Sequence, residues 1–362
     1  MWVYGIEEII NFFFLDKKIL CYLSASKVLH NKIGRKSSVF LSISRNTFGV
    51  SVVEDSGKVL SNPKDVYKPK AGWGIIPMDC AKHHEEAALD VLEKALGEAK
   101  VKLEDIDIIS YSKGPGLPPC LKGVLNFSKD LSKKYGKPLI GVNHCVAHIE
   151  IGKLTTKLND PVVLYVSGGN TQVISLVGGR YRIFGEVMDI GIGNALDKFS
   201  REVGLGFPGG PAIERLALSG KWVELPYVVK GMDLSFTGIV TEAIKKYKSG
   251  NKLEDVCFSL QETTFAMLAE VTERALAHTG KEEVLLTGGV AANKRLQEML
   301  DIMCKERGAK FAVVPKEYSG DCGANIGWTG IVQYKSGDKG LLAEKADINP
   351  VWRTDEVEVR WG

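Results

Sequence analysis

A chain of 362 residues, 44% hydrophobic and 25% charged, is long enough to bury one large core or two lobes. Its net charge of +3 resides in residues 1–37, where Lys17, Lys18, Lys27, Lys32, Arg35 and Lys36 outweigh Glu7, Glu8 and Asp16, so overall charge indicates no polyanionic partner. The seven cysteines are irregularly spaced with no Cys-x-x-Cys pair, which argues against a disulfide framework or a structural zinc site and for a reducing compartment.

Residues 1–37 form an N-terminal extension unlike the rest. Its apolar runs, 9–15 and 19–23, are divided by Asp16, Lys17 and Lys18 and fall short of the ~20 residues that span a bilayer. Glu7 and Glu8 stand where a signal peptide would be positive. A cytoplasmic protein with no membrane contact is expected. Regular patterning begins at Val39. Residues 39–44 and 47–54 alternate as two strands around Arg45-Asn46, and Asp55-Ser56-Gly57 makes the next turn. The spacing of Ala88, Leu89, Leu92 and Leu96 predicts a helix over 85–100. A short strand, 106–110, then runs into the rigid loop Gly114-Pro115-Gly116-Leu117-Pro118-Pro119.

A second unit starts at Pro161. Residues 162–167 read as a buried strand entering Gly168-Gly169-Asn170-Thr171, followed by a strand over 172–176 and a Gly178-Gly179 turn. Strand, polar turn, strand, glycine turn echoes 39–57, including an Asn-Thr pair at each turn, and reads as an internal duplication. A strong helix is expected over 259–278, with Ser259 and Glu262 spaced as a capping box. A buried strand (284–287) then leads through Gly288-Gly289-Val290-Ala291-Ala292-Asn293 into a helix over 294–307. The expected architecture is two α/β lobes facing a cleft, 38–160 and 161–350, with a C-terminal segment 351–362.

Several segments carry chemistry. His144 and His148, four apart, share one face of a helix and can meet one metal ion; the alternative is one capped and one solvated histidine. No His-Glu-x-x-His is present, and Glu150 is badly placed to act as a protease base. Tyr165-Val166-Ser167-Gly168-Gly169-Asn170-Thr171 can bring backbone amides close to an anion, or can simply be a tight turn. The glycine-dense loops 189–198 and 206–211 carry an entropic cost that close approach to a ligand would justify. Asp197 and Glu214 can accept hydrogen bonds from ribose hydroxyls. Asp321, in Ser319-Gly320-Asp321-Cys322-Gly323-Ala324, can offer a carboxylate oxygen to a metal or serve as an ordinary turn residue.

These segments, in this order, resemble the catalytic subunit of the archaeal and eukaryotic KEOPS complex, whose bacterial relative is TsaD. The likeness is carried by 143–150, 165–172, 189–197, 207–211, Lys230-Gly231-Met232-Asp233, 288–293 and 353–361. The resemblance implies a two-lobed actin/Hsp70-like ATPase fold, a ribonuclease H-like α/β unit duplicated. It implies transfer of threonylcarbamoyl from threonylcarbamoyl-AMP to the N6 amine of the tRNA adenosine 3′ of the anticodon, with release of AMP. By position, His144, His148, Asp321 and Tyr165 match the family's metal positions, with iron or zinc implied. Tyr165, Val166, Ser167, Gly168, Gly169, Asp197, Gly210, Glu214 and Asn293 match its adenylate-binding positions, where ATP with magnesium is a further implied ligand. The implied partners are tRNA and the kinase-like and small regulatory subunits of a KEOPS-like complex.

The implied chemistry suits these residues. A mixed carbonic-type anhydride is already activated, so no protein nucleophile is required, and positioning with polarisation of oxygen atoms does most of the work. No general base stands out. Departures from the family pattern gather in the first half: Ser42-Ile43-Ser44 in place of Glu-Gly-Thr, Trp73 inserted between Gly72 and Gly74, Lys82 for glutamate, Pro118 for glycine and Lys122 for arginine, with Cys322 for asparagine further on. They motivate an alternative, a catalytically impaired nucleotide-binding scaffold of the same complex. The run Lys129, Lys133, Lys134 and Lys137 reads first as a solvated helix face.

Overall fold

A computed structural model describes residues 37–43, 47–68 and 75–361. The N-terminal extension up to residue 36, the Arg45-Asn46 turn, Ser44 and the Gly72-Trp73-Gly74 step lie outside the described residues.

The first sheet contains β1 (Ser37–Ile43), β2 (Thr47–Glu54), β3 (Val59–Ser61), β4 (Lys64–Val66), β5 (Ile106–Gly114) and β6 (Leu139–Asn143). Its order is β3-β2-β1-β5-β6, with β4 also paired to β2. α1 (Pro77–Ala99) and α2 (Pro118–Tyr135) connect its strands, and α3 (His144–Thr156) leaves it. The second sheet contains β7 (Val162–Val166), β8 (Thr171–Val177) and β9 (Arg180–Glu186). After it come α4 (Ile192–Glu202), α5 (Gly209–Ala217), a small hairpin of β10 (Val229–Lys230) and β11 (Asp233–Leu234), α6 (Thr237–Lys248) and α7 (Leu253–Thr279). β12 (Glu283–Thr287), α8 (Lys294–Glu306), β13 (Lys310–Val313), α9 (Lys316–Ser319) and α10 (Gly323–Lys335) complete the set. This sheet runs β13-β12-β7-β8-β9.

The two sheets share one plan. In each, three antiparallel strands (β1, β2, β3 and β7, β8, β9) are extended by two parallel ones (β5, β6 and β12, β13) added beside the first strand. The repeated strand–turn–strand pattern in the sequence is therefore a structural duplication, and the chain has the two-lobed actin/Hsp70-like architecture.

Boundaries differ from expectation for local reasons. α1 begins eight residues earlier than its apolar spacing indicated, because Pro77 at the first helical position is pre-set for a helix start. β5 runs on to Gly114, where a Cβ would stand 1.8 Å from the Asn349 carbonyl oxygen; the glycine admits the returning chain. The capping box at Ser259 and Glu262 does not exist. α7 starts at Leu253, and buried Val256 and Cys257 extend its apolar face ahead of Ser259. The Ser259 hydroxyl instead donates to the Asp255 carbonyl and accepts from the Val223 amide, while Glu262 holds Arg295 in a two-point ion pair at 2.7 and 2.8 Å.

α3 is wedged between the lobes. Cys145, Val146 and Ile149 pack with Val163, Tyr165 and Leu285 of the second sheet, and Ala147 packs with Ile108, Ile140 and Val142 of the first. α10, although it follows the second sheet in sequence, lies on the first. A Cβ on Gly323 would meet the Ser51 amide nitrogen at 2.6 Å, and one on Gly49 would meet the Gly323 nitrogen at 2.9 Å, so the helix seats backbone to backbone on β2. The C-terminal segment closes over α3. Asn143 donates to the Trp352 carbonyl, and buried Glu150 accepts from both the Tyr181 hydroxyl and the Trp361 indole. No helix among the described residues is long and apolar enough to cross a membrane.

Glu150→Leu leaves the buried Tyr181 hydroxyl and the half-buried Trp361 indole without their acceptor. It should destabilise the chain by about 2–4 kcal/mol and lower Tm by several degrees, whereas Trp361→Phe, which removes one donor and keeps the ring, should lower it by less. Thermal unfolding of both variants checks the order.

Candidate active site

The site grows from the end of β6. Asn143 caps α3, its Oδ1 accepting from the amides of Cys145 at 3.0 Å and Val146 at 3.1 Å. That cap fixes the first helical turn, so His144 and His148 project from one face with ring centroids 4.9 Å apart. Asp321 arrives from the other direction, between α9 and the start of α10. Its Oδ1 lies 3.1 Å from His144 Nε2 and 3.0 Å from His148 Nε2, and the three donor atoms form one group within 4.8 Å. Tyr165, at the end of β7, lays its ring against His148 with centroids 5.0 Å apart.

Both imidazoles are buried, His148 almost completely at 1% exposure. Burial lowers the His148 pKa, with His144 adding to the effect and Asp321 opposing it, and favours a neutral ring. Burial alone would raise the Asp321 carboxyl; the adjacent His144 and the hydrogen bonds from both imidazoles reverse that and hold it well below the usual carboxylate range. Burial also pushes the Tyr165 phenol well above its ordinary value, so it stays protonated. Asn325, one turn into α10, faces His148 Nδ1 at 3.3 Å and the Gly320 carbonyl at 3.2 Å, and Cys322 Sγ reaches Asn325 Oδ1 at 3.1 Å. The unusual Cys322 thus backs the histidine site from behind. Among the described residues His144 Nδ1 has no hydrogen-bond partner.

His144 and Asp321 open onto a cleft of about 390 Å³ between the lobes, with His148 just behind them. Its second-lobe wall is made by Tyr165, Ser167, Gly168, Gly169, Asn170, Asn194, Asp197 and Phe207, and its first-lobe wall by Ile75, the Pro115–Leu117 turn, Cys120 and Leu121. The 167–170 turn closes on itself, the Ser167 amide donating to the Asn170 carbonyl at 2.8 Å and the Asn170 amide to Ser167 Oγ at 3.0 Å. Among the described residues the Gly168 and Gly169 amides meet no acceptor, and both glycines line the cleft.

Sequence-chosen residues do not all gather here. Tyr165, Ser167, Gly168, Gly169 and Asp197 line the cavity with His144 and Asp321, and His148 stands just behind. Val166 turns its side chain fully into the second-lobe core. Gly210, Glu214 and Asn293 do not line this cavity. Glu214 accepts from the Lys294 amide at 2.7 Å, and Asn293 caps α8 while donating to Gln261. Asp197 spends one oxygen on the Gly209 amide at 2.7 Å, holding the start of α5; burial raises its pKa.

Gly191, Gly193 and Gly209 of the glycine-dense loops, and Gly288, have an immediate cause in packing, whereas a Cβ at Gly206 or Gly210 would meet nothing. A Cβ on Gly191 would meet the Gly168 carbonyl oxygen at 2.6 Å, and one on Gly193 would meet Gly168 Cα and the Ser167 oxygen at 2.8 Å. A Cβ on Gly209 would meet Ser200 Cβ at 2.5 Å and the Leu196 carbonyl oxygen at 2.8 Å, and one on Gly288, at φ +99°, would stand 2.2 Å from the Val166 carbonyl oxygen. These glycines admit neighbouring backbone rather than a ligand, and so set the shape of the 167–170 turn that faces the cleft. Asp189 was overlooked by sequence reasoning as anything but part of a glycine loop. It accepts from the amides of Ile190, Phe236 and Thr237 and from the Ser235 hydroxyl. Burial opposes ionisation there, but the four donors prevail and bring its carboxyl down to about 2. An Asp two residues before a Gly-x-Gly step was the available signal.

Residues 57–328 match the family model described as "TsaD: tRNA N6-adenosine threonylcarbamoyltransferase". The chain is 54% identical over 318 residues to the tRNA N6-adenosine threonylcarbamoyltransferase of Thermococcus sibiricus, covering 87% of this chain and 97% of that one. It is also 54% identical over 331 residues to a Methanosarcina barkeri protein named "Probable bifunctional tRNA threonylcarbamoyladenosine biosynthesis protein", covering 90% of this chain and 60% of the relative. Among solved structures, HypF from T. kodakarensis superposes with a TM-score of 0.58 at 15% identity, covering 82% of this chain and 48% of that one, a likeness of fold alone.

Asp321→Asn removes the anionic donor while keeping the shape. Metal retained per chain should fall by about one equivalent by elemental analysis, with the far-ultraviolet circular dichroism unchanged. Gly193→Ala should force the 191–193 and 167–169 backbones apart and destabilise the fold by about 1–3 kcal/mol, read as a lower Tm.

Proposed function

Because the chain belongs to the TsaD family of tRNA N6-adenosine threonylcarbamoyltransferases, we propose that it transfers threonylcarbamoyl from threonylcarbamoyl-AMP to the N6 amine of the tRNA adenosine 3′ of the anticodon, and does so in the cleft described above. The observation that carries this reading is the meeting, at one cavity, of a two-imidazole, one-carboxylate cluster with two unpartnered glycine amides.

The residues fit a metal of the kind the family implies. Bonds of about 2.1 Å at roughly a right angle set neighbouring donors about 3.0 Å apart, and Asp321 Oδ1 stands 3.0 and 3.1 Å from the two Nε2 atoms. His144, His148 and Asp321 would hold the ion, with the Tyr165 hydroxyl beside them; neutral imidazoles and a carboxylate suit iron or zinc. When bound, the ion would supply Lewis-acid polarisation of the donor's oxygens.

The rest falls to the chain. In our reading the Gly168 and Gly169 amides receive the donor's phosphate and Asp197 its ribose, using the carboxylate oxygen that Gly209 leaves available. ATP, which shares the adenosine and first phosphate, is a competitor expected for the same pocket. Glu214 and Asn293 then act one step back, by fixing the start of α8 against α5 and α7, and Gly210 stands at the start of α5. The adenine amine attacks the carbamoyl carbon, the new N–C bond forms, the C–O bond to phosphate breaks, AMP departs and the amine loses one proton. An already activated carbonyl needs positioning more than a nucleophile, and no protein side chain is covalently consumed. The bifunctional relatives extend well beyond the matched region. We read this chain as working with the kinase-like and small regulatory subunits of a KEOPS-like assembly.

The test is a single-turnover assay with threonylcarbamoyl-AMP and tRNA. Wild-type protein, with partner subunits added, should form the modified nucleoside. His148→Ala and Asp321→Asn should lower the rate by about 100-fold or more, and Asp197→Ala should mainly weaken adenylate binding. Undiminished turnover in both metal-cluster variants would overturn the assignment of the site.

A further inference from the structure

A second group of metal-binding side chains lies behind the first-lobe wall of the cleft. α1 carries Cys80 and His84 four residues apart, and α2 brings Cys120 to them. One donor atom from each falls within 4.8 Å of the other two. All three side chains are buried, at 0%, 2% and 1% exposure respectively. His84 Nε2 lies 3.2 Å from Cys80 Sγ, and among the described residues its Nδ1 meets no hydrogen-bond partner. A core imidazole normally satisfies both nitrogens with oxygen or nitrogen partners; this one turns to sulfur, a weak one. Burying it against Phe48, beside the first-lobe core, gains nothing that an apolar side chain of similar volume would not supply better.

Two thiols and an imidazole at this spacing form a donor set that favours Zn²⁺ over the hard cations Mg²⁺ and Ca²⁺. Tetrahedral bonds of about 2.3 Å place two sulfurs about 3.7 Å apart, within reach of side-chain rotation. We propose that Cys80, His84 and Cys120 form a second metal site, taking a zinc-class ion and separate from the His144, His148 and Asp321 cluster. Binding would convert two thiols to thiolates, releasing two protons to solvent, with water as the fourth ligand. Cys120 belongs to both the cluster and the cleft wall, and Leu121 beside it lines the same cavity. An ion here would therefore tie α1 to α2 and fix the wall that faces the adenylate pocket. Cys80-x-x-x-His84 with Cys120 thirty-six residues on from His84 matches no linear zinc motif, so only the packing of α1 on α2 reveals it.

The experiment uses the full-length His144→Ala/His148→Ala double variant, so that the first cluster is silenced, loaded with Co²⁺. The expected result is one cobalt per chain with a near-ultraviolet sulfur-to-cobalt charge-transfer band, lost on adding Cys120→Ser. Independently, in wild-type protein Zn²⁺ should shield Cys80 and Cys120 from maleimide, as mapped by mass spectrometry, and a chelator should restore their reactivity. Absence of the sulfur band together with equal labelling with and without Zn²⁺ would overturn the proposal. So would a band that survives Cys120→Ser, or a Cys80–Cys120 disulfide in protein that binds no ion.

Discussion

Asp321 Oδ1 sits about 3 Å from two imidazole nitrogens that reach it from a different part of the chain. Keeping those three atoms together is the requirement around which both lobes are organised. The histidines leave β6 on a helix whose first turn is capped by Asn143. The aspartate is set by α10, which crosses back to seat Gly323 against Ser51 of the first sheet. An isolated carboxylate at this depth would be costly to ionise; two facing imidazoles make the charged form the stable one. The same electrostatics that keeps the triad together without an ion presents a ready set of donors to one.

Backbone proximity is the second constraint. The 167–170 turn reaches the cleft in its observed form because Gly191 and Gly193 let another loop press directly on Gly168, and because Gly288 passes beneath Val166. A methyl group at any of these points would fall inside van der Waals contact with fixed backbone. These glycines form one interlocked unit, and the 167–170 turn lining the cleft is its product. Asp189 closes this unit from outside by gathering three amides and a hydroxyl, linking the 189–193 loop to the start of α6.

The C-terminal segment shows how a residue near a functional motif can serve structure alone. Glu150 shares its helix with both histidines, yet it faces away and accepts from Tyr181 and Trp361. With Asn143 bonded to Trp352, the two ends of this arrangement clamp α3 from behind. The clamp explains why the chain needs residues 352–361 although none of them lines the cleft.

Much was legible in the sequence because it is written locally. Alternation and glycine turns disclosed the duplicated strand plan, and a four-residue interval put His144 and His148 on one helical face, since these depend on periods of two and 3.6 residues. The ordered series of short segments indicated the family through resemblance. Other features depend on which distant segments touch, and short-range periodicity carries no such information. The return of α10 to the first sheet, the backing of His148 by Asn325 and Cys322, the engagement of the Gly191 and Gly193 backbones by Gly168 rather than by a ligand, and the approach of Cys120 to Cys80 and His84 all belong to that class. Composition and local spacing determined the elements and named the candidate chemistry; tertiary packing alone decided which atoms stand within 3 Å of one another, because that distance is set by the joint packing of helices and sheets far apart in the chain.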